Sequence, residues 1–146
     1  MKVVNITRRD LDRTQRSNRA ASSFIESEVV AAYSGFKNSF TDTNKYDIAG
    51  SGDTIGEVKH CFRRLSNGSK GRFRLFKPQH DYLVRYDRDA TAYYVFVLIE
   101  PDRGRLRMIR QKPAAVGRIV GARGGWHRSG HSAGKQHKLP WGIYFD

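Results

Sequence analysis

Apolar residues recur along this chain in two rhythms. From Asn18 onward, Phe24, Ile25, Val29, Val30 and Tyr33 return at intervals of three and four, which gathers them on one face of a helix. Ser17 or Asn18 can cap its start, and Gly35 can stop it. After a loop over 37–45, two strands follow, Tyr46 to Gly50 and Ile55 to Phe62, joined through Ser51, Gly52 and Asp53 as a three-residue hairpin. Pro78 suits the first turn of a helix that runs on through Gln79 to Tyr86. The run from Tyr93 to Ile99 is apolar without a break, as in a central strand covered on both faces. Leu106 and Met108, set among arginines, predict another strand, and Pro113 to Val120 a short helix ending at Gly121. Helix, hairpin, helix, strand, strand describes an α/β fold, a small central mixed β-sheet flanked by helices. Residues 1–17 read as a basic N-terminal arm, mobile or a short helix, and 18–120 as the main domain. Residues 121–146 read as a basic tail ending in the aromatic patch of Trp141, Ile143, Tyr144 and Phe145.

Charge changes this picture most. In 146 residues the formal net charge is +13 and the pI about 10.3. Between Asp102 and Asp146 no acidic residue occurs against ten Lys or Arg, a one-signed segment that reads as a phosphate-binding surface or a partly disordered tail. Such an excess opposes compaction by self-repulsion and points to an anionic partner. Nucleic acid fits best, because neutralising phosphates releases condensed counterions. Cys61 is the single cysteine, which excludes an intramolecular disulfide and a zinc-finger framework. No run approaches the ~20 apolar residues of a membrane helix, and no signal peptide is evident. The expectation is an intracellular, cytoplasmic, soluble protein that does not engage membranes.

Candidate chemistry centres on the hairpin. Side chains alternate faces along a strand, so Glu57 and Lys59 project together while Val58 turns away. With a turn centred on Gly52, Asp47 falls opposite Glu57, and both acids come within reach of one cation. Two carboxylates so placed repel unless a proton or cation intervenes. Oxygen ligands suit Mg²⁺, or Mn²⁺ as a substitute, with positions left for water and a substrate phosphate. Lys59 beside them can orient water or offset charge on a phosphate. Acid-x-Lys is also common on solvent-facing strands. The apolar neighbours Ile48, Ile55 and Val58 favour a sheet core instead, where idle charges would be costly.

Tyr46-Asp47-Ile48 followed by Ile55-Gly56-Glu57-Val58-Lys59 resembles the motif of the PD-(D/E)xK nucleases, a restriction-endonuclease-like fold. The closest resemblance is to archaeal Holliday-junction resolvases, whose preceding helix carries Glu-x-Glu and two apolar residues, here Glu26 to Val30. Tyr46 stands where the motif's proline would be. The resemblance covers roughly residues 18–110 and implies a metal-dependent DNA endonuclease that leaves 5′-phosphate and 3′-hydroxyl ends. It implies Asp47 and Glu57 as metal ligands, Lys59 as the electrostatic partner of water and phosphate, and Glu26 as an accessory acid. A role in DNA recombination and a homodimer, joined through the Tyr93–Ile99 strand or the aromatic C-terminus, follow from the same likeness. A restriction-type nuclease or a non-catalytic basic nucleic-acid-binding protein remains as the alternative.

Further contacts to DNA are expected from Arg16, Arg19, Arg63, Arg64, Lys70 and Arg72, which position the backbone without reading sequence. Gln79, at a helix start, is placed to approach the site or a phosphate. His127, His131 and His137 invite a zinc reading, but the intervening Gly and Ser and the distant Cys61 argue against it. Trp126 and Trp141 suit packing better than base stacking. His60 and Cys61 point to opposite faces as strand neighbours, which leaves Cys61 a core thiol.

Overall fold

A computed structural model describes residues 1–36, 46–50 and 52–146. The loop expected over 37–45 and Ser51 of the hairpin turn lie outside these. The chain opens with β1 (Lys2–Asn5) and α1 (Arg8–Arg16), whose start Thr7 caps through its hydroxyl to Asp10 N–H. Of the two readings of this arm, a mobile segment or a short helix, the helix is present as α1, which buries Leu11, and β1 adds a strand to the sheet that the sequence reading lacks. Ser17 then caps α2 (Asn18–Ala32), the helix drawn by the three-and-four spacing, which buries Ala21, Ile25 and Val29.

β2 (Ile48–Ala49) and β3 (Thr54–Phe62) form the expected hairpin, with Ile48 opposite Gly56 and Ala49 opposite Ile55. Gly52 and Asp53 take the left-handed backbone region in the turn. Gly56 is glycine for space: a Cβ there would come within 2.8 Å of the Ile48 side chain and 3.1 Å of the Phe36 ring. Next comes β4 (Arg72–Phe76), then α3 (Lys77–Asp89), with Pro78 in its first turn. β5 (Thr91–Glu100), β6 (Arg105–Gln111) and α4 (Pro113–Ala122) follow, and β7 (Gln136–Pro140) closes the list of strands.

The main sheet has the order β1-β6-β5-β3-β2. β3 and β5 run parallel, connected across α3, and the other pairs are antiparallel. β5 is central and covered on both faces, as its unbroken apolar run required. Tyr94, Phe96 and Leu98 face one cluster with Leu83, Val116 and Val120, while Val95, Val97 and Ile99 face the other with Ile25, Val29 and Leu106. β4 and β7 make a separate two-stranded ribbon, laid over the first cluster through Phe73, Leu75 and Leu139.

Most of the two surfaces expected to join a dimer is thus used inside the fold, with Ile143 of the C-terminal patch left exposed. β5 has both neighbours paired, and Trp141 and Phe145 are buried in the first cluster. The tail is committed to the fold because its aromatic residues fill space beneath the ribbon: the Phe73 ring lies 4.9 Å from Phe96 and 6.4 Å from Phe145. Trp141 also donates its Nε1–H to the Arg63 carbonyl at 2.9 Å. Among the described residues no helix is long and apolar enough to cross a membrane.

Candidate active site

The hairpin sets the site from the backbone outward. Asp47 N–H donates to the Gly56 carbonyl at 3.0 Å, which holds Asp47 in the register that faces Glu57. Its Oδ2 accepts a hydrogen bond from Val58 N–H at 2.8 Å, so the carboxylate is fixed from both ends of its own residue. Burial raises the pKa of Asp47, against the Val58 hydrogen bond, the Lys59 charge and a Glu57 hydrogen bond that lower it.

Glu57 is 2% exposed. Its Oε1 lies 3.0 Å from Lys59 Nζ, whereas Oε2 is buried and meets no N–H or O–H donor. Burial pushes its pKa up to about 8, with the Asp47 charge adding to the rise and Lys59 opposing it. Lys59 Nζ also donates to Gln79 Oε1 at 3.1 Å, and lies 5.6 Å from the centre of the Phe76 ring. Gln79 reaches it because Pro78 starts α3 immediately after β4, next to the β3 face that carries Glu57 and Lys59.

Glu26 comes from α2. Its pKa is raised to about 7, by burial first and then by the charge of Asp47. Glu26, Asp47, Glu57, Lys59 and Arg74 line one open cleft, with Ser22 and His60 at its α2 side. Ser22 Oγ lies 3.3 Å from His60 Nε2. The cleft therefore collects three acids, one ammonium and one amide from α2, β3, α3 and the residue before β2, although the three acids do not together enclose one ion.

The donor set fits a hard divalent cation. A buried carboxylate oxygen that meets no donor, beside a second carboxylate, is a pair that calls for a cation or a shared proton. Among the described residues no three acid, His or Cys side chains stand close enough to enclose an ion. Mg²⁺ is commonly held by one or two carboxylates and completed by water and substrate phosphate, so an open pair suits it better than a closed cage.

The expected DNA-contacting residues divide. Arg64, Lys70 and Arg72 are exposed on the connection after β3 and at the start of β4. Arg16 and Arg19 are exposed where α1 meets α2, and Arg16 lines a different groove with Asp10, Arg13 and Glu28. Arg63 is engaged elsewhere: its Nη1 donates to Glu100 Oε2 at 2.9 Å, and its guanidinium lies 5.0 Å from the centre of the Trp141 ring. His127 and His137 stack at 6.2 Å, while His131 lies 5.0 Å from Phe76. His60 and Cys61 do face opposite sides, Cys61 within the first cluster, where burial pushes its thiol up to about 12. Sequence reasoning passed over Arg74, whose signal was its alternation with the apolar Phe73 and Leu75.

A parallel β3–β5 core with α3 as the crossover, and two acids and a lysine on β2–β3, define a nuclease-type α/β domain. Residues 12–146 match the sequence model of the PD-(D/E)XK nuclease superfamily domain, and the chain belongs to that superfamily. No curated protein matches it.

Proposed function

We propose that the protein is a Mg²⁺-dependent DNA endonuclease that cuts phosphodiester bonds in the cleft between β3, α2 and α3. The observation that carries this reading is the buried Glu57 carboxylate, beside Asp47 and 3.0 Å from the Lys59 ammonium, with an Oε2 that meets no donor. Asp47 and Glu57 would hold the ion, with Glu26 as an accessory acid reaching from α2. When bound, Mg²⁺ or Mn²⁺ supplies stabilisation of the crowded phosphate charge and a more acidic water.

This chain's own residues do the rest. Lys59, kept in place by Glu57 and Gln79, presents an ammonium to the attacked phosphate and to the incoming water. Val58 N–H holds Asp47 at a fixed angle, so no reorganisation is needed when substrate arrives. Water attacks phosphorus, the bond to the 3′ oxygen breaks, and the products are a 5′-phosphate and a 3′-hydroxyl. Arg64, Lys70 and Arg72 contact the flanking backbone.

The substrate we infer is branched DNA, in the manner of the junction resolvases that Glu26, Ser27 and Glu28 resemble. Cutting two strands of a junction calls for two sites, hence a homodimer in solution. Incubation with Mg²⁺ or Mn²⁺ and labelled four-way junction, linear duplex, nicked and single-stranded DNA tests the reading. Scission of the junction above all is expected. If all four remain intact with either metal, the enzymatic reading fails. Preferential cutting of linear duplex would move the protein to the restriction-type nucleases and leave the chemistry standing.

A further inference from the structure

The β4–β7 ribbon stands apart from the main sheet and has two unlike faces. Register places Arg72 opposite Pro140, Phe73 opposite Leu139, Arg74 opposite Lys138, and Leu75 opposite His137. Alternation therefore sends Phe73, Leu75, His137 and Leu139 inward, and all four are buried. The other face carries Arg72, Arg74 and Lys138, and neither strand contains an acid. Among the described residues, none of these three cations makes an ion pair or a side-chain hydrogen bond, in contrast to Arg63, Arg105 and Arg107, which all pair with Glu100.

The ribbon is also anchored. Gly71 lets its first strand leave β3 at close quarters, since a Cβ there would fall 1.9 Å from the Phe62 carbonyl oxygen. Lys77 N–H donates to the Lys135 carbonyl at 2.8 Å, which ties the far end to the start of α3. Arg74 and Phe76 lie at the cleft itself. A rigid strip of free cations thus begins at the catalytic cleft and leads away from it.

We propose that the outer face of this ribbon, through Arg74 and Lys138, is a track for the phosphate backbone of the DNA on one side of the scissile bond. The inference rests on the nuclease reading, and it commits to phosphate contacts without base recognition. Charge complementarity and continuity with the cleft argue for it: a backbone seated in the cleft passes over the nearest unpaired guanidinium, that of Arg74. The tail thereby joins substrate binding through Lys138.

The test is equilibrium binding of a labelled DNA duplex to the full chain in EDTA, read by fluorescence anisotropy over a salt series. The chain with Arg74→Ala and Lys138→Ala is compared with one carrying Arg118→Ala and Arg123→Ala, two exposed arginines outside the ribbon. Two lost phosphate contacts should lower the steepness of log K against log salt by ~1.8. The control pair should leave it unchanged, and duplexes of scrambled sequence should respond alike. Circular dichroism spectra matching the unsubstituted protein establish that the ribbon variant is folded. If that folded variant keeps the original slope, or if both pairs flatten it equally, the track is refuted while the nuclease reading stands. If the unsubstituted protein binds no duplex in EDTA and leaves junction, linear duplex, nicked and single-stranded DNA all intact with Mg²⁺ or Mn²⁺, the nuclease reading fails as well.

Discussion

Two glutamates are buried in this protein to the same extent, Glu57 and Glu100, each 2% exposed, and their surroundings differ in kind. Glu100 ends β5 and is met by three arginines: Arg105 Nε at 2.8 Å, Arg107 Nε at 2.7 Å and Arg63 Nη1 at 2.9 Å. Burial raises its pKa, but the hydrogen bonds from Arg105, Arg107 and Arg63 outweigh that and hold it below the usual value. Arg107 passes the pairing on to Asp146 at 2.7 Å, so this network also fastens the chain's last residue. Glu57 has one lysine, an adjacent acid and an oxygen that meets no donor. A buried acid whose charge is balanced is architecture. One left short of positive charge, at an open cleft, is what the proposed metal site requires.

The comparison predicts opposite consequences for equivalent changes. Glu100→Ala takes the main partner from the buried Arg107, with Arg105 and Arg63 part-exposed beside it, and should cost about 3 kcal/mol of stability, measured by urea unfolding. Whatever fraction remains folded should still cut DNA. Glu57→Gln and Lys59→Ala should each lower the single-turnover cleavage rate by about 10²–10³. DNA affinity in EDTA should stay within a few-fold, because it rests on many phosphate contacts. A destabilised Glu57→Gln protein with unimpaired cleavage would reverse the roles assigned here.

The pH dependence sharpens the same contrast. Glu57 has a folded pKa of about 8 against an ordinary 4.5, so the folded chain holds this proton more tightly than the unfolded one. Its effect on stability is nil well below 4.5 and grows unfavourable as pH rises through the window up to about 8. In EDTA, Glu57→Gln should therefore stabilise the protein at pH 8.5 relative to pH 5 by on the order of 2 kcal/mol, read from paired unfolding curves. Glu100 behaves in the reverse sense. Its folded pKa is depressed, so its contribution is present above the unfolded value and is lost as pH falls through the folded one. Mg²⁺ affinity should rise with pH over the range in which Glu26 and Glu57 lose protons, from about 7 to about 8. The smallest effect is expected from Gln79→Ala, which removes one of the two hydrogen-bonding partners of the Lys59 ammonium and should slow cleavage about tenfold.

Local pattern made much of this legible. The apolar run of β5 could only be a doubly covered strand, and the turn at Gly52 fixed which residues face each other across the hairpin. Those two readings bring Asp47, Glu57 and Lys59 to one place. Tertiary contact was needed for the remainder. β4 and β7 alternate apolar with basic residues, but each is only five residues long and they pair across nearly half of the chain. Nothing near Gln136 announces a strand. Arg63 looked like a free loop cation because Glu100 and Trp141, its partners, are far away in sequence. β1 was masked by its shortness and by the arginines that follow it.

The central claim is that Asp47 and Glu57 together receive a divalent ion. Crystals soaked in Mn²⁺ and measured at the manganese absorption edge test it most directly. An anomalous peak in contact with both carboxylates is the expected result, and Glu57→Gln should abolish it. A map with no peak in the cleft under the Mn²⁺ concentration that supports DNA cutting, or with the ion bound by other residues, would contradict the account.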